Sequence, residues 1–413
     1  MATSPQPVDS PATAQVFLAE IAIKDINWTI RRQAVWKLTD QTALAKVAVE
    51  DSNEEVRFAA RCRLNDQSLL AKIALESKDW TIRRHVVWHK LIDQTALAKV
   101  AIEDSHEDIR SAAVSKLTDQ SLLAKVAVED ESWVVRERAA GNLTDQSLLA
   151  KIAVEDKDAG VRKAAVMKLT DQALLAKIAV EDEGKYVCAA AVGNLTDHSL
   201  LATFAVEDKD EFVRRAAVMK LTDQAVLAKI ADEDEDADVR EAAVKHLSDQ
   251  ALLTRFAAED KDPVVRAAAV FNLTDQALLT KFATEENEFI RRAALHNMTD
   301  HALIVKIAIG DVNKNVRTTA VWTLTDQALL AQVADADAPC DVRALAVERL
   351  TDQARLAKFA VEDRYWNIRC AAVYHLTDEA LLAKVAVEDE EEHVRRSAAA
   401  ILNEKSLRVG QSL

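Results

Sequence analysis

Glycine and proline are scarce in this chain, six and five residues among 413. Hairpins, tight turns and flexible linkers draw on those two residues, so their shortage argues against a β architecture and against loosely tethered domains. The four cysteines, Cys62, Cys188, Cys340 and Cys370, lie far apart with no CxxC spacing, which argues against a disulfide framework or a zinc site. No apolar run approaches the roughly 20 residues that span a bilayer. The opening MATSPQPVDSPATAQ has neither the basic start nor the apolar core of a signal peptide. A cytoplasmic protein without membrane contact is the expectation. The sequence also lacks GxGxxG, a P-loop, HExxH and GxSxG. No catalytic residue, metal ligand or cofactor is therefore assigned, and the protein is expected not to be an enzyme.

What the chain has instead is repetition. An Arg preceded by Val or Ile recurs at Arg31, Arg57, Arg83, Arg110, Arg136, Arg162, Arg214, Arg240, Arg266, Arg291, Arg317, Arg343, Arg369 and Arg395, and Cys188 stands in the one vacant slot. These make fifteen units, nearly all 26 residues apart, with one residue added near His89 and Lys90 and a trimmed loop at Glu285 to Glu288. A fixed period of this size means stacked units, each unable to bury its own apolar face.

One unit shows how. In Asp145 to Glu155 the apolar residues Leu148, Leu149, Ile152, Ala153 and Val154 form one broad helical face, with Thr144 or Asp145 as cap. An acidic loop follows. Four residues before ten of the marker arginines stands a short oxygen-bearing side chain, among them Asn27, Asn53, Asp79, Ser132, Asp158, Asp236 and Asn313, which starts a second helix. That helix turns Val161, Ala165 and Leu169 inward. An Asp six residues before most of the marker arginines offers its own unit or the adjacent one a bidentate partner, so the loops are expected to be tied into a structural ladder, broken at Ser77 and Cys188.

The Leu-rich first helix, the acidic loop and VRxAAV in the second resemble short HEAT-type repeats, including those of the phycobilisome-lyase class, and are also similar to the leucine-rich-repeat variant family. The resemblance implies an all-α, α-α superhelix of about fifteen helix pairs over residues 12–404, with the second helices lining a concave, partner-binding side. Residues 1–11 are expected to be a disordered lead and 405–413 a partial repeat or cap. The variant family carries a cysteine-bound iron–sulfur cluster beside its repeats, and this chain has no cysteine group to hold one.

Differences among the units point to function. Positions three before, one after and five after the marker Arg share one face of the second helix, and all seven tryptophans of the protein stand in this stripe. The partner-binding candidates are Trp28, Arg32, Trp36, Trp80, Arg84, Trp88, Trp133, Met167, Met219, Phe271, Trp322, Trp366 and Tyr374. Trp and Arg dominate binding hot spots, and Trp-Arg-Trp recurs two units apart, as cation–π stacking favours. Packing of these rings against the neighbouring helix is the competing expectation, above all for Met167 and Met219.

The charge is uneven as well. Residues 1–100 hold 14 Lys or Arg against 12 Asp or Glu, about +2, in a chain of −15 overall. The leading expectation is a non-enzymatic scaffold that grips a protein or peptide in the groove of second helices. A second is nucleic-acid binding confined to the Trp/Arg-rich N-terminal units, since the acidic remainder offers no continuous basic groove. A third, carried by the resemblance alone, is a chromophore lyase or lyase subunit. The oligomeric state stays open.

Overall fold

The structure, a computed structural model, describes residues 11–410. Among them are thirty helices and no strand, arranged as successive helix pairs, so the all-α repeat architecture holds. The expected disordered lead lies almost entirely outside the described residues; the first helix opens at Pro11 and runs Pro11–Lys24. The chain divides into two compact units, one ending at Phe204 and the other beginning at Ala205, where the sequence suggested one uninterrupted domain. In both units most neighbouring second helices approach one another more closely than the first helices do, Glu54–Arg63 and Trp80–His89 being an exception. Small alanines at their contacts allow that approach: Ala60, Ala139 and Ala165 are fully buried, as are Ala243 and Ala269.

Helices of about ten residues are marginal in water alone, so the joints between units must hold them. Three kinds of joint do so. The first is the Arg fork. Arg136 donates Nε and Nη2 to the two carboxylate oxygens of Asp156 in the following unit, at 2.9 and 3.1 Å, while its Nη1 reaches back to the carbonyl of Asp130 at 3.0 Å. The same arrangement holds Arg31 to Asp51, Arg110 to Asp130 and Arg162 to Asp182, and, in the second compact unit, Arg214 to Asp234 and Arg240 to Asp260. Each fork thus takes the carboxylate of the adjacent unit and the backbone of its own. Burial works against the charge of Asp156, but the hydrogen bond from Arg136 and its positive charge prevail and hold this carboxyl below the ordinary range.

The second joint was not legible in advance. The Gln that opens most first helices clamps the next unit: Gln120 accepts from the backbone N–H and the hydroxyl of Thr144 at 3.0 and 2.9 Å, and donates to the carbonyl of Asn142 at 3.2 Å. Gln250 does the same with Thr274 and Asn272. Third, a side chain at the end of the second helix reaches back to the preceding unit, as Asn142 Nδ2 to the carbonyl of Val114 at 3.1 Å and Lys116 Nζ to that of Val87 at 2.7 Å.

Several local expectations need correction. Asp145, not Thr144, caps its helix, because the carboxylate accepts from the N–H groups of Ser147 and Leu148 and Thr144 is engaged by Gln120. Val154 is not part of the buried face: it is 57% exposed, one residue round the helix from fully buried Ala153. Ser132 stands at the start of Trp133–Asn142 but makes no cap bond; its hydroxyl donates to Glu107 of the preceding unit instead. At Ser77, where no carboxylate is available, Arg57 turns to Glu54. At Cys188 the thiol sits 3.1 Å from the carbonyl of Asp182, the type of acceptor Nη1 uses in the other units. The C-terminal residues up to Gly410 do not open a new first helix: Glu392–Gly410 is one continuous helix of 19 residues. No described residue, glycine included, has a positive φ, and no described peptide bond is cis.

Candidate functional site

With the joints and the buried Val, Ala and Leu columns assigned to the frame, the second helices within each compact unit still present an unshared face. All eleven apolar candidates lie exposed on it, from Trp28 at 38% to Tyr374 at 62%, and Arg32 and Arg84 are exposed beside them. The buried core contains no tryptophan. Met167 and Met219 stand one residue beyond the shortened helices Ala159–Val166 and Glu211–Val218, as their C-caps.

Four of the indole rings, those of Trp80, Trp133, Trp322 and Trp366, are exposed and also lean on the following unit. Trp80 stacks on His106, centroids 4.5 Å apart and planes 7° from parallel. Trp366 tilts against His393 at 5.5 Å, and the guanidinium of Arg349 lies 5.0 Å over Trp322. A Cβ added at Gly160 would meet the ring of Trp133 at 3.4 Å. Aromatic and cationic contacts therefore run between units, a geometry worth about 0.5–1.5 kcal/mol for each stacked pair.

Two hollows interrupt this face. In the first compact unit, the helices Glu54–Arg63 and Trp80–His89 bound a cavity of about 280 Å³ lined by Glu54, Arg61, Arg84, His85, Trp88 and His89. Its chemistry is cationic. Arg61 is 3% exposed; its Nη2 donates to Glu54 at 2.5 Å, and Arg57 holds the same carboxylate. Burial raises the cost of a charge on Glu54, but Arg61 and Arg57 outweigh it and hold the carboxyl below its usual range. Burial, followed by the charge of Arg61, lowers the pKa of His85 to about 4, so its imidazole is neutral near pH 7. The structure thus brings together Arg84 and Trp88 of the sequence candidates, and adds Arg61, His85 and His89.

In the second compact unit, a groove of about 380 Å³ crosses four successive second helices and is lined by Lys245, Val264, Phe271, Phe289, Arg292 and His296. Phe271 stacks on His296, centroids 4.1 Å apart, and Arg292 Nε reaches the hydroxyl of Thr319 at 3.3 Å. Of the sequence candidates only Phe271 belongs to it. Lys245, Arg292 and His296 occupy stripe positions, and Val264 and Phe289 share a second column two before the marker Arg, where polar residues are common elsewhere. That column was the missed signal.

Among the described residues no group of side chains could hold a metal ion, and no helix is long and apolar enough to cross a membrane. No protein-family model matches the chain, and neither does any curated protein. Solved structures do resemble it in repeat architecture. A leucine-rich repeat variant with a repetitive structural motif is 23% identical over 60% of this chain and 87% of its own, with a TM-score of 0.35. Kap95p, in a complex concerned with the switch loops of RanGDP, is 13% identical over 96% of this chain and 67% of its own, TM-score 0.36. Kap121p bound to Nup53p is 11% identical over 93% of this chain and 52% of its own, TM-score 0.32.

Proposed function

We propose that this protein is a non-enzymatic scaffold that binds a protein or peptide along the exposed stripe of its second helices. One observation carries the reading: every tryptophan of the protein is at a stripe position and at least 38% exposed, while the core is filled by Val, Leu, Ile and Ala. Rings of that size left half open are the residues that anchor interfaces. The closer approach of second helices than of first helices supports a groove on their side. Trp28, Arg32, Trp36, Trp80, Arg84 and Trp88 form the principal anchor, with Trp322, Trp366 and Tyr374 as a second. Trp133 and Met167 supply further contact area in the first compact unit, and Met219 in the second.

The test is capture of partners by the full chain compared with the Trp80→Ala, Trp88→Ala pair. We expect capture to fall at least about tenfold, the loss of one hot spot. Helical content should stay the same, and melting should drop only by the loss of the Trp80–His106 stack. Undiminished capture would falsify the assignment.

Nucleic acid is the second reading, favoured only by Arg61, Arg84 and Trp88 around one hollow. Gel shifts with short single- and double-stranded DNA at two salt concentrations decide it, since phosphate contacts weaken steeply with salt.

A further inference from the structure

The hollow between Glu54–Arg63 and Trp80–His89 holds more donors than acceptors. Nε and Nη1 of Arg61, Nε of Arg57 and Nδ1 of His85 are buried and have no hydrogen-bond partner among the described residues. Leaving buried polar groups unpaired is costly, more so for a cation, and native structures rarely do it without a reason. Arg57 and Arg61 share the single carboxylate of Glu54, and Arg84 lines the same hollow. That surplus of positive charge stands in a chain whose net charge is −15.

Glu54 itself indicates the anion that suits these donors. Its two oxygens are taken by different guanidinium groups, Oε1 by Arg61 at 2.5 Å and Oε2 by Arg57, and still Nε and Nη1 of Arg61 are unmatched, while Arg57 Nη1 is held by the carbonyl of Asp51 at 2.7 Å. Arg84 and Trp88 stand exposed at the same hollow, where a charged fork and an indole can receive an acidic side chain and its stem. A volume of about 280 Å³ accepts a side chain or two, not a base-stacked strand.

We propose that this hollow is a carboxylate-binding subsite, taking an aspartate or glutamate side chain of an acidic protein segment on Arg61 and Arg84 beside Trp88. It deepens the scaffold reading and rests on it for the class of partner. The unpaired nitrogens of Arg61 turn to the incoming carboxylate, and Glu54 remains on Arg57.

Calorimetric titration of the full chain with a short polyglutamate peptide tests this. We expect polyglutamate to bind at least about tenfold tighter than polyglutamine of the same length, with affinity falling as salt rises. Arg84→Gln, an exposed change that leaves the fold intact, should weaken it about tenfold, and Arg61→Gln more, with helical content monitored by circular dichroism. Lys229→Gln, an exposed change on the first helix Gln224–Glu233 of the other compact unit, should change nothing. Equal binding of the two peptides, or an unaffected Arg84→Gln, overturns the proposal, as does tighter binding of inorganic phosphate or oligo-dT than of polyglutamate. The two readings fail separately. If the Trp80, Trp88 pair abolishes partner capture while polyglutamate does not bind, the subsite is lost and the scaffold stands; polyglutamate binding with undiminished capture in that pair gives the reverse.

Discussion

The hollow at residues 54–89 and the groove at residues 241–323 are built on one frame and offer opposite chemistry. The first is walled by guanidinium groups, two histidines and one indole; the second by Val264, Phe271 and Phe289, with single charges at its edge. Frame positions are alike in both: Val56, Ala60 and Leu64 in one are matched by Val265, Ala269 and Leu273 in the other, all fully buried. A repeat of this kind separates its duties by column. Columns that face the next unit or make its joints vary little, Ser77 and Cys188 being exceptions, and the stripe changes from unit to unit on a constant frame.

That separation breaks first if the joints are not equivalent. Arg136→Ala in one compact unit and Arg240→Ala in the other should each cost about 3–5 kcal/mol, because removing a guanidinium strands a buried carboxylate. Denaturant melts of the full chain measure it, and a loss confined to one variant would show that the two regions do not share a frame. Arg57→Ala should cost less, since Arg57 has no carboxylate across the joint.

A smaller effect sharpens the comparison from the other side. Ser77 occupies the slot where other units carry an Asp, and its hydroxyl and Arg57 Nε are both buried without a partner among the described residues. Ser77→Asp should complete the missing fork and raise stability by about 1–2 kcal/mol. It should also draw Arg57 from Glu54.

The smallest effect separates the two regions by acid. A His whose folded pKa lies below its unfolded value resists protonation only in the native state, so stability falls as pH drops from about 6.5 towards the value of about 4 held by His85. The fork carboxylates Asp51, Asp156, Asp182 and Asp389 have lowered values; their contribution is present above the unfolded pKa of about 3.9 and is lost as pH falls through the folded one. Two acid steps are therefore expected, and His85→Gln should remove only the upper. If the profile of that variant matches the parent, His85 does not titrate as described.

The period, the caps and the forks were legible because each depends on one residue type at a constant interval. Asp and Arg carry charge, and their spacing of six within a unit pointed to the pair even though the partner proved to be 20 residues onward, as in Arg136 with Asp156. The Gln clamp was hidden by its neutrality. Gln120 and Thr144 are 24 residues apart, and nothing in either side chain announces the other. Nor could a pattern foresee where geometry departs from it. Around Asp335 to Pro339 the turn is irregular, and Arg317 pairs with Asp341 instead of the Asp337 that the interval suggests. The stripe was visible as a column, but its hollows depend on which neighbours are small or polar, and the sequence marked only Phe271, Arg84 and Trp88 of their walls.

One property of the joints reaches beyond the present length. A regular unit presents the Arg of a fork and the Gln of a clamp towards its successor, and the Asp and Thr that match them towards its predecessor. Excising or duplicating any segment of one full period between two regular units leaves donor facing acceptor at the new seam. Such a molecule can change its span in steps, by gene duplication or by deletion, while every surviving coupling stays matched.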